Sequence, residues 1–470
     1  MSIFAIINLV IYPLLALGAA LAVVAALGLS MHGERLWSSR FVPAIAPLIV
    51  LGIAVSSLLS SRNLALAEKH IDLISEQPGG GAWILRLITL SIVSIAMAKL
   101  IGAFVRRQPV PVAPGTPLFV ALMVYIVASN FLPSAFGTVP TFVHAMFYPA
   151  LIFSAAWAAR RESPEATLSA AKAALYTLMI GSLIAAVIVP AIAVQPDYQG
   201  LIPGLNIRLW GLGSNANSIG PLALLTLLVE YLQPTRKRWL RALLIAATGL
   251  VFVLAQSKTV WVALLIVLAI LTWYRWATKN RQQASMVFLL VFLGAGIAFL
   301  TMLLLMDVGA VWDRFADSKL GDNVTTISGR TAIWEVALQE WQRNPLFGYG
   351  PEIWNLKFRI KIGLPFAFSA HNQFLQTLSV AGTLGFVALL AYLRYVIPAA
   401  WRMAAATRGV SLALLSMILF RCLAEAPLAM TGLIDADALT HFLLFVIILR
   451  APGSEQLRQA TRPALAGLRS

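Results

Sequence analysis

The chain has 470 residues, 60% of them hydrophobic and only 11% charged, which excludes a soluble globular domain, whose surface has to be far more polar. Lysine and arginine number 35 against 19 acidic residues, a formal charge of +16. In so apolar a chain that excess orients loops and meets anionic headgroups, so membrane lipids rather than nucleic acid are the expected partners. The single cysteine, Cys422, excludes an intramolecular disulfide and a cysteine-based zinc site. No paired histidine and carboxylate spacing points to a metal, so neither metal nor cofactor is expected.

A hydrocarbon core about 30 Å thick takes roughly 20 apolar residues per helix. Runs of that length lie near 4–29, 41–60, 82–104, 117–136, 141–159, 172–195, 217–233, 239–257, 259–276, 286–306, 372–397, 409–426 and 435–450. They predict an all-α polytopic membrane protein with about 12 to 13 transmembrane helices. The first run has no basic residues before it and is longer than a signal-peptide core, so it reads as a true span with the N-terminus outside.

Alternate loops differ in basic residues, as the positive-inside rule requires of a correct parsing. One side carries Arg35 and Arg40, Arg106 and Arg107, Arg160, Arg161 and Lys172, Arg236 to Arg241, Arg275 to Arg281, Arg394 to Arg408 and the tail arginines. The short loops of the other side hold Arg62, Lys69, Arg208, Lys258 and Arg421. The C-terminus is therefore expected in the cytoplasm and the long segment Met306–Ala370 outside. That gives an N-terminal bundle over 1–200, core spans over 201–306, the long loop over 307–371, C-terminal spans over 372–450 and a tail over 451–470. Ser328 can cap a loop helix running to Arg343, in which Ile333, Val336, Ala337 and Trp341 recur at helical spacing and Asn344-Pro345 ends the element.

Several polar residues fall at the outer ends of these spans. His371-Asn372 opens the eleventh, followed by Gly382 and Gly385; His371 either snorkels to the headgroups above a helix-packing glycine pair or exchanges a proton with outside water. Arg330 sits at the start of the loop helix, where the macrodipole disfavours a cation. A bound anion would offset that, as would pairing with Glu335 or Asp322. Arg208 is the cation of its outer loop, placed for a phosphate or for headgroup contact. Lys258 occupies a tight break, Gln256-Ser257-Lys258-Thr259, and either snorkels or faces a polar cavity. Arg421 and Glu425 lie one turn apart, with Asp435 and Asp437 close after, which fits an internal pair or a charge-lined cavity. Arg86 and Lys99 read as structural. Four cations and a titratable base at one interface suit a phosphorylated, lipid-linked substrate better than a transporter's midplane site, although a transporter or flippase of such lipids is the alternative from another class.

Taken in order, Arg208-Leu209-Trp210-Gly211-Leu212 with Asn215-Ala216-Asn217 and Gly220, Ser257-Lys258-Thr259, Ser328-Gly329-Arg330 with Trp334, Pro345-Leu346-Phe347-Gly348-Tyr349-Gly350, and His371-Asn372 with Leu375 and Gly382 resemble the O-antigen ligase and Wzy-type polysaccharide polymerase superfamily. The likeness spans about residues 200 to 390, and no single motif would carry it. It implies a fold related to lipid-dependent C-type glycosyltransferases, with the long periplasmic loop as active-site lid and about twelve spans, one fewer than the runs above.

The resemblance further implies an inner-membrane enzyme that moves a glycan from undecaprenyl diphosphate to a sugar hydroxyl, without a nucleotide sugar or a required metal. The acceptor would be lipid A core in a ligase, or a second lipid-linked glycan in a polymerase. His371 would take the acceptor proton and attack would invert the anomeric centre. Arg330, with Arg208, Lys258 and Arg421 on the diphosphate, would neutralise the leaving group, and Asn372, Tyr349 and Glu425 would support the site.

Overall fold

The structure, a computed structural model, describes residues 39–60, 62–66, 81–105, 115–198, 200, 202, 204–280, 328–365 and 367–449. The expected spans near 4–29 and 286–306, the tail 451–470 and Asp322 lie outside the described residues.

The protein is an all-α polytopic membrane protein. Among the described residues the main helices are, in chain order, α1 (Ser39–Leu59), α2 (Ala82–Val105), α3 (Thr116–Phe136), α4 (Tyr148–Ala158) and α5 (Pro164–Ile188). A two-stranded hairpin follows, β1 (Val194–Pro196) pairing antiparallel with β2 (Ile207–Leu209). Then come α6 (Ala216–Leu232), α7 (Arg238–Leu254), α8 (Lys258–Lys279), α9 (Ser328–Arg343), α10 (Leu356–Lys361), α11 (Gln373–Met403), α12 (Val410–Arg421) and α13 (Ala436–Ile448). Among the described residues α1, α2, α3, α5, α8 and α11 are long and apolar enough to cross a membrane. Large apolar side chains such as Trp83, Leu90 and Phe104 on α2 or Leu265 on α8 are exposed, as lipid-facing residues of a membrane helix must be.

Three expected spans change shape, the run 409–426 keeping only α12 as helix. In the run 141–159, residues 141–143 are not helical and a 3-10 turn covers His144–Phe147, leaving α4 only 11 residues long. At 1.5 Å per residue that is roughly 16 Å, half a hydrocarbon core. The span expected at 172–195 instead begins at Pro164, because Ser163 accepts a hydrogen bond from the Glu165 amide, Pro164 presets the first turn and Glu165 suits the positive end of the dipole. Hydropathy alone does not see a polar first turn.

The described residues form two compact units. The first comprises those up to Val120, Ala145–Gln256 and those from Gly432 on. One of its ends gathers cations: Lys99 pairs with Glu162, and the buried Glu230 carboxylate receives the Tyr176 hydroxyl at 3.0 Å, the Thr235 amide at 2.6 Å, Lys172 at 3.4 Å and Arg241 at 3.2 Å. At its other end the buried Arg62 guanidinium donates to the carbonyls of Ile192, Gly211, Gly213 and Ser214 at 2.7 to 3.0 Å.

The second unit comprises Ala121–His144 and Ser257–Thr431. It is organised by a break in α11, where Gly382 adopts φ +62° and ψ −163°. A helix interrupted there leaves the carbonyls of Ser379 and Val380 and the amides of Thr383 and Leu384 without their usual partners, and inside a membrane such groups have to be satisfied by protein. The turn after α9 satisfies all four. Tyr349 and Gly350 donate to Ser379 and Val380 at 2.8 and 3.0 Å, while Pro345 and Leu346 accept from Thr383 and Leu384 at 2.8 and 3.2 Å. The far side of the turn is tied to the end of α3: Thr138 and Val139 donate to Gly348 and Tyr349, and Asn344 donates to the Phe136 carbonyl. Gly382 thus admits a loop backbone, where the glycine pair had been read as a seat for another helix.

The loop folds over its own small core of Ile333, Ala337, Ile353, Trp354, Phe358, Ala367 and Ala370. Burying side chains the size of Ile333 or Phe358 stabilises by about 1.5–3 kcal/mol each. Ile333 and Ala337 face this core, whereas the indole of Trp341 turns to Thr383 of α11 and the Pro345 carbonyl, each at 3.2 Å.

Candidate active site

His371 stands where the loop enters α11, and the peptide groups around it are pinned. The Trp334 indole of α9 donates to the Ala370 carbonyl at 2.9 Å, the Ala370 amide donates to Gln376 Oε1 at 2.8 Å, and the His371 amide donates to Ser369 Oγ at 3.2 Å. Asn372 caps α11, its Oδ1 accepting from the Phe374 and Leu375 amides at 3.0 and 3.1 Å. Its Nδ2 donates to the Leu423 carbonyl at 3.3 Å. Between these fixed points His371 is held at φ +47°, a left-handed conformation that costs a non-glycine residue about 1–3 kcal/mol.

The second half of the site comes from the end of α12. That helix finishes at the buried Arg421, a cation well placed against a helix C-terminus. The Arg421 carbonyl accepts the Glu425 amide at 2.7 Å, so the chain makes one further turn and brings Glu425 Oε2 to 3.0 Å from His371 Nδ1. Burial opposes ionisation of Glu425, but the hydrogen bond from His371 and the charges of His371, Arg421 and Arg330 outweigh it and hold the carboxyl below the usual carboxylate range. An ionised carboxylate only accepts hydrogen bonds, so Nδ1 donates to it, and in the neutral form of the imidazole the lone pair then falls on Nε2. The two side chains are 25% and 14% exposed, sheltered yet open on one side. A neutral imidazole backed by a carboxylate, with two arginines close enough to bias that carboxylate, can accept a proton beside an anion.

Residues 242–390 match the family model described as O-antigen ligase. The chain carries an O-antigen ligase family domain. That family is one of glycosyltransferase-like enzymes acting on lipid-linked glycans at membranes. The matched stretch holds Lys258, Arg330, Tyr349, His371 and Asn372, and it ends before Arg421 and Glu425. No curated protein matches the chain.

The structure brings His371, Asn372 and Arg330 of the matched stretch into one neighbourhood with Arg421 and Glu425, which follow it. Lys258 is exposed in the first turn of α8. Tyr349 lies in the loop core, its ring 4.8 Å from that of Phe358; burial first, then Glu340 and Glu352, pushes its hydroxyl pKa up. Arg208 belongs to the other unit, on β2 opposite Gln195. There it donates to the Ala255 carbonyl at 3.2 Å and to Asn217 Oδ1 at 2.9 Å, with its guanidinium 4.7 Å from the Tyr198 ring centroid. Asp435 caps α13 through the Asp437 and Ala438 amides, a structural task. Among the described residues no three His, Cys, Asp or Glu side chains come together as a metal-ligating group.

Two further cations were not singled out as site residues from the sequence. Arg62 was counted only as a loop charge, yet it clamps the Gly211–Ser214 turn next to Arg208; burial lowers its pKa to about 10, so it stays charged at neutral pH. Arg359 on α10 is buried, with its guanidinium 4.1 Å from the Phe368 ring centroid and bonded to the Pro365 carbonyl, holding the stretch that leads to His371. Lys357, Arg359 and Lys361 alternate along α10, and spacing alone does not say which one is buried.

Proposed function

We propose that this protein is an inverting glycosyltransferase that moves a glycan from undecaprenyl diphosphate to a sugar hydroxyl at the periplasmic face of the inner membrane, as an O-antigen ligase whose acceptor is lipid A core. The observation that carries the proposal is the 3.0 Å contact of His371 Nδ1 with an ionised Glu425, beside Arg421 and Arg330. With the donor seated, His371 Nε2 takes the proton of the acceptor hydroxyl as its oxygen bonds to the anomeric carbon. The bond from that carbon to the phosphate oxygen breaks with its electron pair, and undecaprenyl diphosphate departs with one more negative charge. Attack opposite the leaving group inverts the centre.

Arg330 and Arg421, joined by Lys258, neutralise the charge that grows on the diphosphate; fixed cations at such a position are worth more than mobile solvent. Arginine suits the task because its planar fork matches phosphate oxygens. Glu425 fixes the imidazole tautomer and stabilises the imidazolium that forms, and Asn372 holds the start of α11 against the end of α12. The reaction as drawn uses no nucleotide sugar, metal or cofactor.

The test uses purified protein and its His371→Ala variant in liposomes with an undecaprenyl-diphosphate oligosaccharide, with and without lipid A core, and products resolved by gel and mass. Transfer only when core is present is the expected result. A ladder of longer lipid-linked chains without core would instead assign a polymerase. Absence of bond cleavage by the wild type in both conditions would favour a transporter of the lipid-linked glycan, and equal turnover by His371→Ala would remove the base assignment.

A further inference from the structure

Gln373 follows the His371-Asn372 pair and is buried, so it touches no substrate, yet its bonds bracket Glu425 on both sides. Its backbone amide donates to the Cys422 carbonyl at 2.9 Å, three residues before Glu425. Its side-chain Oε1 accepts the Leu428 amide at 2.7 Å, three residues after. Its Nε2 donates to Thr377 Oγ1 at 3.1 Å and to the Tyr125 hydroxyl at 3.4 Å, and that hydroxyl donates to the Leu428 carbonyl at 2.9 Å.

The position of Tyr125 is itself braced. In the next turn α3 passes into a π-helical segment, Val127–Phe131, within which Asn130 donates to the Met430 carbonyl at 2.9 Å. Such insertions re-aim side chains within a helix. The loop from Cys422 to Met430 is therefore fastened to α3 and to the first turn of α11 by a buried polar network, and buried amides and carbonyls tolerate poorly the loss of their partners.

We propose that Gln373 is a positioning residue for the reaction: by gripping Cys422 and Leu428 from the first turn of α11, it sets the separation of His371 and Glu425. This rests on the reading of those two residues as base and orienting carboxylate. His371 and Gln373 lie two residues apart on one rigid start of a helix, so the grip converts the register of the loop directly into the geometry of the pair. A shift of about 1 Å in such a pair is enough to cost on the order of 100-fold in rate.

The experiment measures donor cleavage by the full-length protein in liposomes for the wild type, Gln373→Met, Glu425→Gln and the double variant, with thermal unfolding of each in detergent. Gln373→Met keeps the length of the side chain and removes its acceptor. It is expected to lower kcat by roughly 10- to 100-fold with KM for the lipid-linked donor within about twofold. In the Glu425→Gln background the same change should cost less than about threefold, because residues acting through one contact are not additive. Tyr125→Phe, a milder loosening of the same loop, should give a smaller loss of the same kind, and it carries the test if Gln373→Met does not fold. A loss that adds fully to that of Glu425→Gln, or that falls on KM as much as on kcat, would overturn the positioning role. Full activity of Glu425→Gln by itself would remove the base and carboxylate reading, a failure distinct from that of Gln373.

Discussion

His371 Nδ1 and Glu425 Oε2 lie 3.0 Å apart, although 54 positions separate them in the chain. The pair forms because Asn372 donates to the carbonyl of Leu423 while the first turn after α12 carries Glu425 back across it. Glu425→Gln keeps the shape and removes the charge that selects the Nδ1–H tautomer. Turnover should fall by about 10²- to 10⁴-fold with little change in donor KM, and steady-state kinetics in liposomes checks this. Wild-type kcat in that variant would show that the carboxylate does not serve the base.

The same carboxylate gives a pH signature in stability. Its folded pKa is depressed, so the stabilisation it contributes is complete above the ordinary glutamate value of about 4.3 and is lost as pH falls from there through the lower folded value. The difference in Tm between the wild type and Glu425→Gln should hold steady from pH 7 to about 5 and shrink only below that. A difference that vanished nearer pH 6 would mean that Glu425 is not held ionised.

Gly382→Ala tests the break in α11. A Cβ there would press into the Leu346 carbonyl and lie 2.6 Å from the Phe347 nitrogen, both backbone groups, at a φ of +62° that an L side chain rarely adopts. The expected cost is about 2–4 kcal/mol, with faster hydrogen exchange at the Tyr349 and Gly350 amides that bond to α11. Gly249→Ala in α7, where nothing lies within 4 Å, should be neutral or stabilising by up to about 1 kcal/mol. Equal Tm values for the two variants would contradict the tight approach of the loop to α11.

Arg62→Lys keeps the charge and loses the fork. A single ammonium cannot reach all four carbonyls that the guanidinium serves, and each buried carbonyl left unpaired costs about 1–3 kcal/mol. Unfolding in detergent should show a loss of several kcal/mol, and exchange of the Trp210, Gly211 and Gly213 amides should accelerate. An Arg62→Lys protein as stable as the wild type would show that charge alone holds the turn.

Much of the fold was legible because it depends on local properties. Hydropathy located α1, α2, α3, α6 and α8 to within a few residues, and the periodic apolar residues followed by Asn344-Pro345 marked the end of α9 at Arg343. Hydropathy misjudged α4 and the start of α5, where the outcome depends on a 3-10 turn and on a polar cap. The match over 242–390 agrees with the family resemblance, and the motif order around His371 pointed to the residue at which the chain turns sharply.

What the sequence determined by itself is therefore the solvent of the chain, the class of its elements and the short list of polar residues at their ends. Only the tertiary structure decided that Glu425 meets His371, that Gly382 receives a loop and that Arg62 serves four carbonyls. The physical reason is that burial and periodicity act within a few turns of chain. A hydrogen bond across 54 positions depends on where α11 and α12 begin and end, and a fully used guanidinium is written identically to a solvated one.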